Sequence, residues 1–404
     1  MSIKLSVEEL KLAADQCVKC AVCLPHCPTY ALSPEEAESP RGRISLLQGI
    51  VHERLKPTRQ IQRHLDSCLS CGRCEQVCPA NVPYTRLLDG GRFWMERQAE
   101  LEPVLVSRTQ RFAARLLNSP RLLRVIAAVM KTARRLNAHT LFKDSLVSRV
   151  IRWMPTSEKG SGLIERSAPE RLTATLFTGC LSDSFEQDLA ASARIVSAAY
   201  GVRLTPTPKG LCCGALYQHQ GNERQSSRLA EHNLAVLGQS DDPIVSLQSG
   251  CSRGLADGLR FSGDAEGQKT AARITDLFAL IAELPTPSEM RNSSDKVGVY
   301  APCSSNKRER ALMLEVLQRS QPDTLLLGSG HGCCGAAGDH MVTRPERADQ
   351  LAQPIVDEIM ATGLTHILVP NMGCAWHLRA NLSFRQHGVI IEHPLQWLAR
   401  HLSQ

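Results

Sequence analysis

The sequence predicts an α+β multidomain chain, in which a helical amino-terminal unit holding two cysteine loops precedes a duplicated α/β unit that is also rich in cysteine. Three observations lead there. A four-cysteine string occurs twice before residue 80, eight further cysteines form two sets of four offset by 121 to 123 residues, and short apolar runs alternate with helix-length segments in the carboxyl half. With 404 residues, 43% hydrophobic and 22% charged, the chain can bury more than one core.

The amino-terminal unit rests on the repeated string Cys17-x2-Cys20-x2-Cys23-x3-Cys27-Pro28 and Cys68-x2-Cys71-x2-Cys74-x3-Cys78-Pro79. Three thiolates at this spacing can wrap a short loop around one inorganic cube, while the fourth, followed by proline, reaches the neighbouring cluster in two-cluster ferredoxins. The expected ligand sets are therefore crossed. Cys17, Cys20, Cys23 and Cys78 hold one 4Fe-4S cluster, and Cys68, Cys71, Cys74 and Cys27 hold the other. A pair of zinc sites would instead use two Cys-x2-Cys pairs per ion with a longer gap between them. Between the loops, Arg43 to Val51 and Gln60 to Leu65 have helical apolar spacing, as in helical ferredoxin-like domains. The start MSIKLSVEELKLAADQ contains no apolar core of signal-peptide length, so a cytoplasmic, reducing setting is expected, in which the 16 cysteines serve as ligands rather than disulfides.

Between Val104 and Met154 stand eleven Lys or Arg against one acid, Asp144, although the whole chain carries only +7. Leu105, Phe112 and Leu116 share one helical face beside Arg108, Arg111 and Arg115. Leu122, Val125, Ile126 and Val129 repeat the pattern beside Arg121, Arg124, Lys131 and Arg135. Two readings stand: solvated outer faces of packed helices, or a surface for an anionic membrane or acidic partner. Nucleic acid is not expected, since aromatics are 4% and no groove-reading motif accompanies the charge. No apolar run approaches the roughly 20 residues of a membrane-spanning helix.

In the carboxyl half, Cys180, Cys212, Cys213 and Cys251 correspond to Cys303, Cys333, Cys334 and Cys374. Apolar runs precede each position: Thr175 to Thr178, Val202 to Pro208, Ile244 to Leu247, Val297 to Tyr300, Leu325 to Leu327 and Ile367 to Val369. Helical segments such as Leu189 to Tyr200 and Arg347 to Met360 lie between them, which predicts parallel sheets, each copy with its own packed layer and with its cysteines at the carboxyl edge. Gly330 to Gly335 satisfies G-x-G-x-x-G, but the doublet recurs at Cys212-Cys213-Gly214 without that pattern, so the shared element is the thiol pair. These eight cysteines are candidates for a further cluster, for zinc, or for redox-active thiols. His219, His331 and His377 stand near them as candidate proton donors, and His26 stands inside the first loop. No phosphate loop, nucleophile elbow or flavin site is present, so substrate chemistry is expected elsewhere.

The two four-cysteine motifs, Ser39-Pro-Arg-Gly-Arg-Ile44, the two Cys-Cys-Gly doublets, Gln248-Ser-Gly-Cys251 and Asn371-Met-Gly-Cys374 together resemble the iron-sulfur subunit of bacterial glycolate oxidase, across nearly the whole chain. It sits within a wider family of cysteine-rich, CCG-domain iron-sulfur oxidoreductase subunits. Tyr84 to Arg92 favours the glycolate type, whereas Glu392-His-Pro-Leu395 looks closer to the anaerobic glycerol-3-phosphate dehydrogenase type. In the related heterodisulfide reductase pattern each repeat ends Cys-x-x-Cys; here Gly254 and His377 occupy the last position. The resemblance implies partner subunits carrying FAD that oxidise glycolate to glyoxylate, with electrons relayed through this chain towards quinone, peripherally at the inner face of the plasma membrane. Alternatives are the equivalent subunit of a complex acting on D-lactate, another 2-hydroxy acid or glycerol 3-phosphate, an autonomous thiol or quinone reductase, and an assembly module. The expected domains are 1–100 (two-cluster helical), 101–170 (basic connector), 171–290 and 291–404 (the two repeats).

Overall fold

The computed structural model describes residues 6–101, 120–138, 146–154, 168–261, 264–288, 290–291, 293–328, 332–385 and 388–402. The helical face assigned by periodicity to Leu105, Phe112 and Leu116, with Arg108, Arg111 and Arg115 beside it, lies outside the described residues, as does His331.

The amino-terminal unit is helical, with α1 (Val7–Asp15), α2 (Pro28–Leu32), α3 (Pro40–Val51), α4 (Arg59–Asp66), α5 (Arg73–Gln76) and α6 (Tyr84–Leu101), and no strand among its described residues. Local chemistry sets the helix starts. Ser6 and Glu9 cap α1 reciprocally, Ser39 accepts from the Gly42 N–H with Pro40 opening α3, and Thr58 accepts from the Ile61 N–H. Leu10, Ile44, Leu47, Leu65, Leu87 and Met95 form the core, and Cys17, Cys23, Cys68 and Cys78 pack against it. The helical spacer thus delivers both cysteine loops to one apolar centre.

Each repeat forms a four-stranded sheet in which every pairing is parallel. The strands β1 (Leu172–Phe177), β2 (Val202–Pro206), β3 (Ile244–Ser246) and β4 (Ile274–Thr275) run in the order β2-β1-β3-β4. The strands β5 (Val297–Tyr300), β6 (Leu325–Leu327), β7 (His366–Leu368) and β8 (Ile390–Glu392) run as β6-β5-β7-β8. Duplication of the cysteine pattern is therefore duplication of topology. The sequence runs anticipate six of these strands, those that lead into a cysteine, and omit β4 and β8, which no cysteine follows.

Each repeat packs an apolar layer of its own, around Phe177, Leu211 and Leu259 in the first and around Leu327, Ile355 and Ile367 in the second, and the two also share a third. A single apolar cluster runs from Leu176, Val196 and Val245 into Val297, Val299 and Leu368, and takes in Trp397 and Leu398 of the last helix, Pro394–Leu402. That helix lies on Gln187–Ala199 of the first repeat, so fully buried Trp397 fastens the second repeat to the first. Trp153 of the connector stacks on Trp376 at 5.6 Å, and Phe185 of the first repeat meets Trp376 edge-on at 5.0 Å.

The connector helix Pro120–Arg135 presents a different face from the one its periodicity suggests. Leu123, Ala127 and Met130 are buried, whereas Leu122, Val125 and Val129 are 38%, 58% and 62% exposed. The helix is apolar over a broad arc, and the edge bearing the small Ala127 is the one that faces the rest of the protein, beside the helix Cys180–Phe185. Among the described residues no helix is long and apolar enough to cross a membrane.

Gly214 and Gly335 follow the two cysteine doublets with φ of +83° and +73°, so both doublets end in a left-handed turn that glycine adopts without strain. A Cβ on Gly335 would also fall 2.0 Å from the Ala348 carbonyl oxygen. Gly363 has a similar φ of +63°, with nothing within 4 Å of its Cβ position. Gly335→Ala is therefore expected to cost about 3 kcal/mol or more from conformation and overlap together, and Gly363→Ala about 1 kcal/mol from conformation alone. Denaturant midpoints of the full chain check this; equal losses would mean that the Ala348 contact does not constrain the doublet.

Candidate metal centres and redox thiols

The two cysteine loops have one backbone shape. Lys19 and Ala21 have φ of 56° and 69°, and the equivalent Ser70 and Gly72 have 50° and 69°. Left-handed residues two and four positions after the first cysteine curl each loop so that its three thiols turn inward. Three of these four residues are not glycine, a local cost that persists only where surroundings impose it.

Cys17, Cys20 and Cys23 line a hollow of about 440 Å³, measured to its open mouth, and Cys78 from the other loop completes the ring together with Cys74. Val18, Val22, Ile44, Pro79 and Val82 make its wall apolar. Burial pushes the Cys23 thiol above its ordinary range, and Cys17 and Cys20 push the same way. Cys74 is also raised by burial, with Cys71, Cys68, Cys27 and Cys23 adding to it. Cys27 is buried, its Sγ 3.2 Å from Thr29 Oγ1, and Tyr84 donates to Cys68 Sγ at 3.5 Å. Among the described residues no three His, Cys, Asp or Glu side chains converge as ligands of a single ion. Soft thiols ringing an apolar hollow fit a multi-iron sulfide core, whose positive charge favours the thiolate form.

In each repeat the cysteines leave the carboxyl ends of three adjacent parallel strands and meet, as expected for open parallel sheets. Cys180, Cys212, Cys213 and Cys251 are hydrogen-bonded in series. The bonds from Cys180 and Cys213 pull Cys212 well below the usual thiol range, while Cys180 and Cys213 are raised. In the second repeat Cys374 bonds to Cys334 and holds it down at about 7, with Tyr300 helping. Burial raises Cys303 and Cys333 there. The sets differ in access: Cys333, Cys334 and Cys374 are buried, and all four thiols of the first set are half-buried.

The second loop lies against the second repeat. Cys71, pushed up to about 12 by burial, has Cys303 as its strongest charge neighbour and packs beside Cys333, Leu69 and Leu351. Arg73 donates to the Gly332 carbonyl at 2.5 Å, and Arg253 of the first repeat donates to Thr85 Oγ1 at 2.7 Å and to the Cys71 carbonyl at 3.4 Å. Arg73, Arg253, Tyr84 and Tyr300 were not singled out by sequence, because their roles depend on contacts between segments far apart in the chain.

The histidines are held in different ways. His377 is fully buried, its Nδ1 on the Cys334 carbonyl and its Nε2 3.1 Å from Asp349, which also pairs with Arg149 at 2.6 Å. His219 lies 3.4 Å from Asp89 of α6, and His26 is half-buried in its loop. His340, unremarkable in sequence, is buried among Arg344, Arg347, Arg92 and Arg43, and burial with those charges pushes it down to about 3.

Comparison with known proteins agrees with this anatomy. A family model described as a 4Fe-4S dicluster domain matches residues 13–82, and one described as a cysteine-rich domain matches residues 174–256 and again 297–379. The glycolate oxidase iron-sulfur subunit of Escherichia coli (strain K12) is 25% identical over 394 residues, covering 94% of each chain. The probable glycolate oxidase iron-sulfur subunit of Bacillus subtilis (strain 168) is also 25% identical, over 91% of this chain and 88% of its own. Lactate utilization protein A of Shouchella clausii is 20% identical over 56% of this chain and 98% of its own. Two thiol loops of one shape, two sheets of one topology and an end-to-end likeness converge: the chain belongs to the iron-sulfur oxidoreductase subunits that join a 4Fe-4S dicluster domain to a duplicated cysteine-rich domain, and within them it is of the glycolate oxidase iron-sulfur subunit kind.

Proposed function

We propose that this chain is the electron-transferring subunit of a complex that oxidises glycolate or a closely related 2-hydroxy acid on FAD-bearing partner subunits and delivers the electrons to quinone. Cys17, Cys20, Cys23 and Cys78 would hold one 4Fe-4S cluster, and Cys68, Cys71, Cys74 and Cys27 the other. Such clusters, when bound, supply one-electron chemistry and, with four thiolate ligands each, offer substrate no coordination site. The observation that carries the reading is the packing of Cys71 beside Cys333, with Cys303 as its strongest charge neighbour. It supports an order in which the first loop, at the more exposed end of the helical unit, comes first, the second loop follows, and the thiols of the second repeat come next. Arg73 and Arg253 hold the second loop in that position.

A second reading, an autonomous thiol reductase, draws on Cys334, which its bonds from Cys374 and Tyr300 hold near neutrality. Its discriminating feature is activity without a flavin partner.

Attachment to an anionic membrane surface is supported by the connector helix. Leu122, Val125, Val129 and Leu136 are exposed on it, with Arg124 and Arg135 exposed beside them.

Anaerobically prepared protein is expected to carry about eight iron atoms on the amino-terminal cysteines, and Cys78→Ser to damage chiefly the cluster whose other ligands are Cys17, Cys20 and Cys23. Metal analysis and electron paramagnetic resonance decide this; stoichiometric zinc without iron, or loss of only the Cys68-Cys71-Cys74 signal, would refute the ligand sets. The isolated chain should not reduce a dye with glycolate or lactate, and activity should appear when the flavin partner is added. Robust oxidation by this polypeptide alone, free of flavin, would transfer the chemistry to the chain itself. Replacing Arg124, Lys131 and Arg135 with glutamate should weaken binding of the complex to anionic phospholipid vesicles by about tenfold or more at low salt, with dye reduction unchanged. Unaltered vesicle sedimentation would return this helix to an ordinary solvated face.

A further inference from the structure

Arg43 of α3 is wholly buried, and every nitrogen of its guanidinium is used. Nε donates to the His64 carbonyl at 2.7 Å, Nη1 to Thr29 Oγ1 at 3.1 Å and to the Glu38 carbonyl at 2.6 Å, and Nη2 to Glu38 Oε2 at 3.0 Å and Ser67 Oγ at 2.7 Å. Its partners are the immediate neighbours of two thiols. Thr29 Oγ1 and the Glu38 carbonyl are also the groups nearest Cys27 Sγ, at 3.2 Å and 3.8 Å. Ser67 precedes Cys68 in the chain. One side chain thus fixes the backbone beside Cys27 and beside Cys68, which belong to different loops.

The charge around Arg43 is not neutralised. Glu38 is its only acidic partner, and Glu38 also accepts from Arg347 of the second repeat at 2.7 Å, from His64 at 2.8 Å and from Ser67 at 2.7 Å. Two guanidinium groups share one carboxylate. Cys68, Tyr84 and Cys27 are the charges that Arg43 feels most strongly, Cys68 first. A fixed cation in a low-dielectric interior stabilises added negative charge far more than it would in water.

We propose that Arg43 is a positioning and charge-tuning residue for the centre that Cys27 and Cys68 share, aligning both thiols and raising the reduction potential of that centre relative to the one held by the first loop. The proposal rests on the crossed ligand sets given above. It supplies a reason for the segment Ser39-Pro-Arg-Gly-Arg-Ile44: Ser39 and Pro40 start the helix that carries Arg43 inward. A Cβ on Gly42 would fall 1.8 Å from the Glu36 carbonyl oxygen, so glycine there allows the turn Glu36–Glu38 to close on that helix. The energetic consequence is that an electron arriving on the second loop, next to the second repeat, is held more favourably than one on the first.

The test uses variants of opposite sign in the full chain. Arg43→Met removes the cation, and Glu38→Gln removes the anion that offsets it. Potentiometric titration followed by electron paramagnetic resonance should show the second-loop centre of Arg43→Met at lower potential and that of Glu38→Gln at higher potential. Each change should be at least tenfold in the reduced-to-oxidised ratio at fixed ambient potential, which is about 59 mV for one electron. The first-loop centre should stay in place in both. A merely structural arginine predicts loss of iron or displacement in a common direction, not opposite shifts. If Arg43→Met fails to fold, Glu38→Gln and the charge-conserving Arg43→Lys decide: an upward shift in the former with the latter near wild type supports the proposal. Iron-replete variants whose potentials are unchanged, or both of which shift the same way, would overturn it. Failure of the underlying ligand sets shows separately, as Cys27→Ser and Cys68→Ser extinguishing different resonance signals.

Discussion

Arg347 reaches from the second repeat to the Glu38 carboxylate, and Arg73 reaches back from the second cysteine loop to the Gly332 carbonyl. Between these two contacts the helical unit and the second sheet are locked in one register. Each contact ends on a group that is itself tied to a thiol: Glu38 leads through its carbonyl to Cys27, and Gly332 precedes Cys333. The same arginines that join the units therefore also set the spacing of the sulfur sites. Electron transfer between centres depends steeply on separation, so an interface pinned by directional guanidinium hydrogen bonds is better suited to this task than one built from apolar contact alone.

Burial of so many thiols is costly unless something compensates. Cys71, Cys74, Cys303 and Cys333 are all raised in pKa by burial, and their mutual proximity adds to it. Iron-sulfur clusters held as proposed would resolve that conflict at the helical unit, where the ring of sulfurs has an apolar hollow at its centre. The second repeat has a different local answer in part: Cys334 is stabilised by a bond from Cys374 and by Tyr300, within a buried set whose other members stay high. The chemistry available there differs from that in the hollow, even though both are built of cysteine.

Much of this was legible in the sequence because its strongest signals are local. A cysteine string of fixed spacing determines a loop regardless of what surrounds it, and the second copy, with its left-handed residues at matching places, takes the same shape. The parallel sheets followed from apolar runs ahead of each cysteine. Edge strands β4 and β8 escaped because no cysteine follows them to mark the apolar run as a strand. The connector helix offered two apolar stripes, and only packing selects Leu123, Ala127 and Met130 over Leu122, Val125 and Val129. Arg43, Glu38 and Arg73 lay beyond sequence reasoning for another reason: a buried ion network is defined by partners that meet only in three dimensions, and Arg347 is three hundred residues from Glu38 in rough terms. The segment around Arg43 was visible as a motif, but not its role.

The duplication gives two sheets of the same order yet two unequal sites. The first repeat meets the helical unit mainly along α6, through His219 on Asp89 and Glu223 on Arg97, and touches the second loop through the Arg253 side chain on the Cys71 carbonyl. The second repeat meets it at the loop itself, through Cys333, Gly332 and Arg347. One set of thiols is accordingly half-buried and hydrogen-bonded in series, and the other is buried except for half-buried Cys303. Equal topology supplies four cysteines at a sheet edge twice over; what each set faces decides its access to solvent and to the next centre. Sharing one apolar cluster through Trp397 then ties the two repeats together, so the inequality is built into the fold.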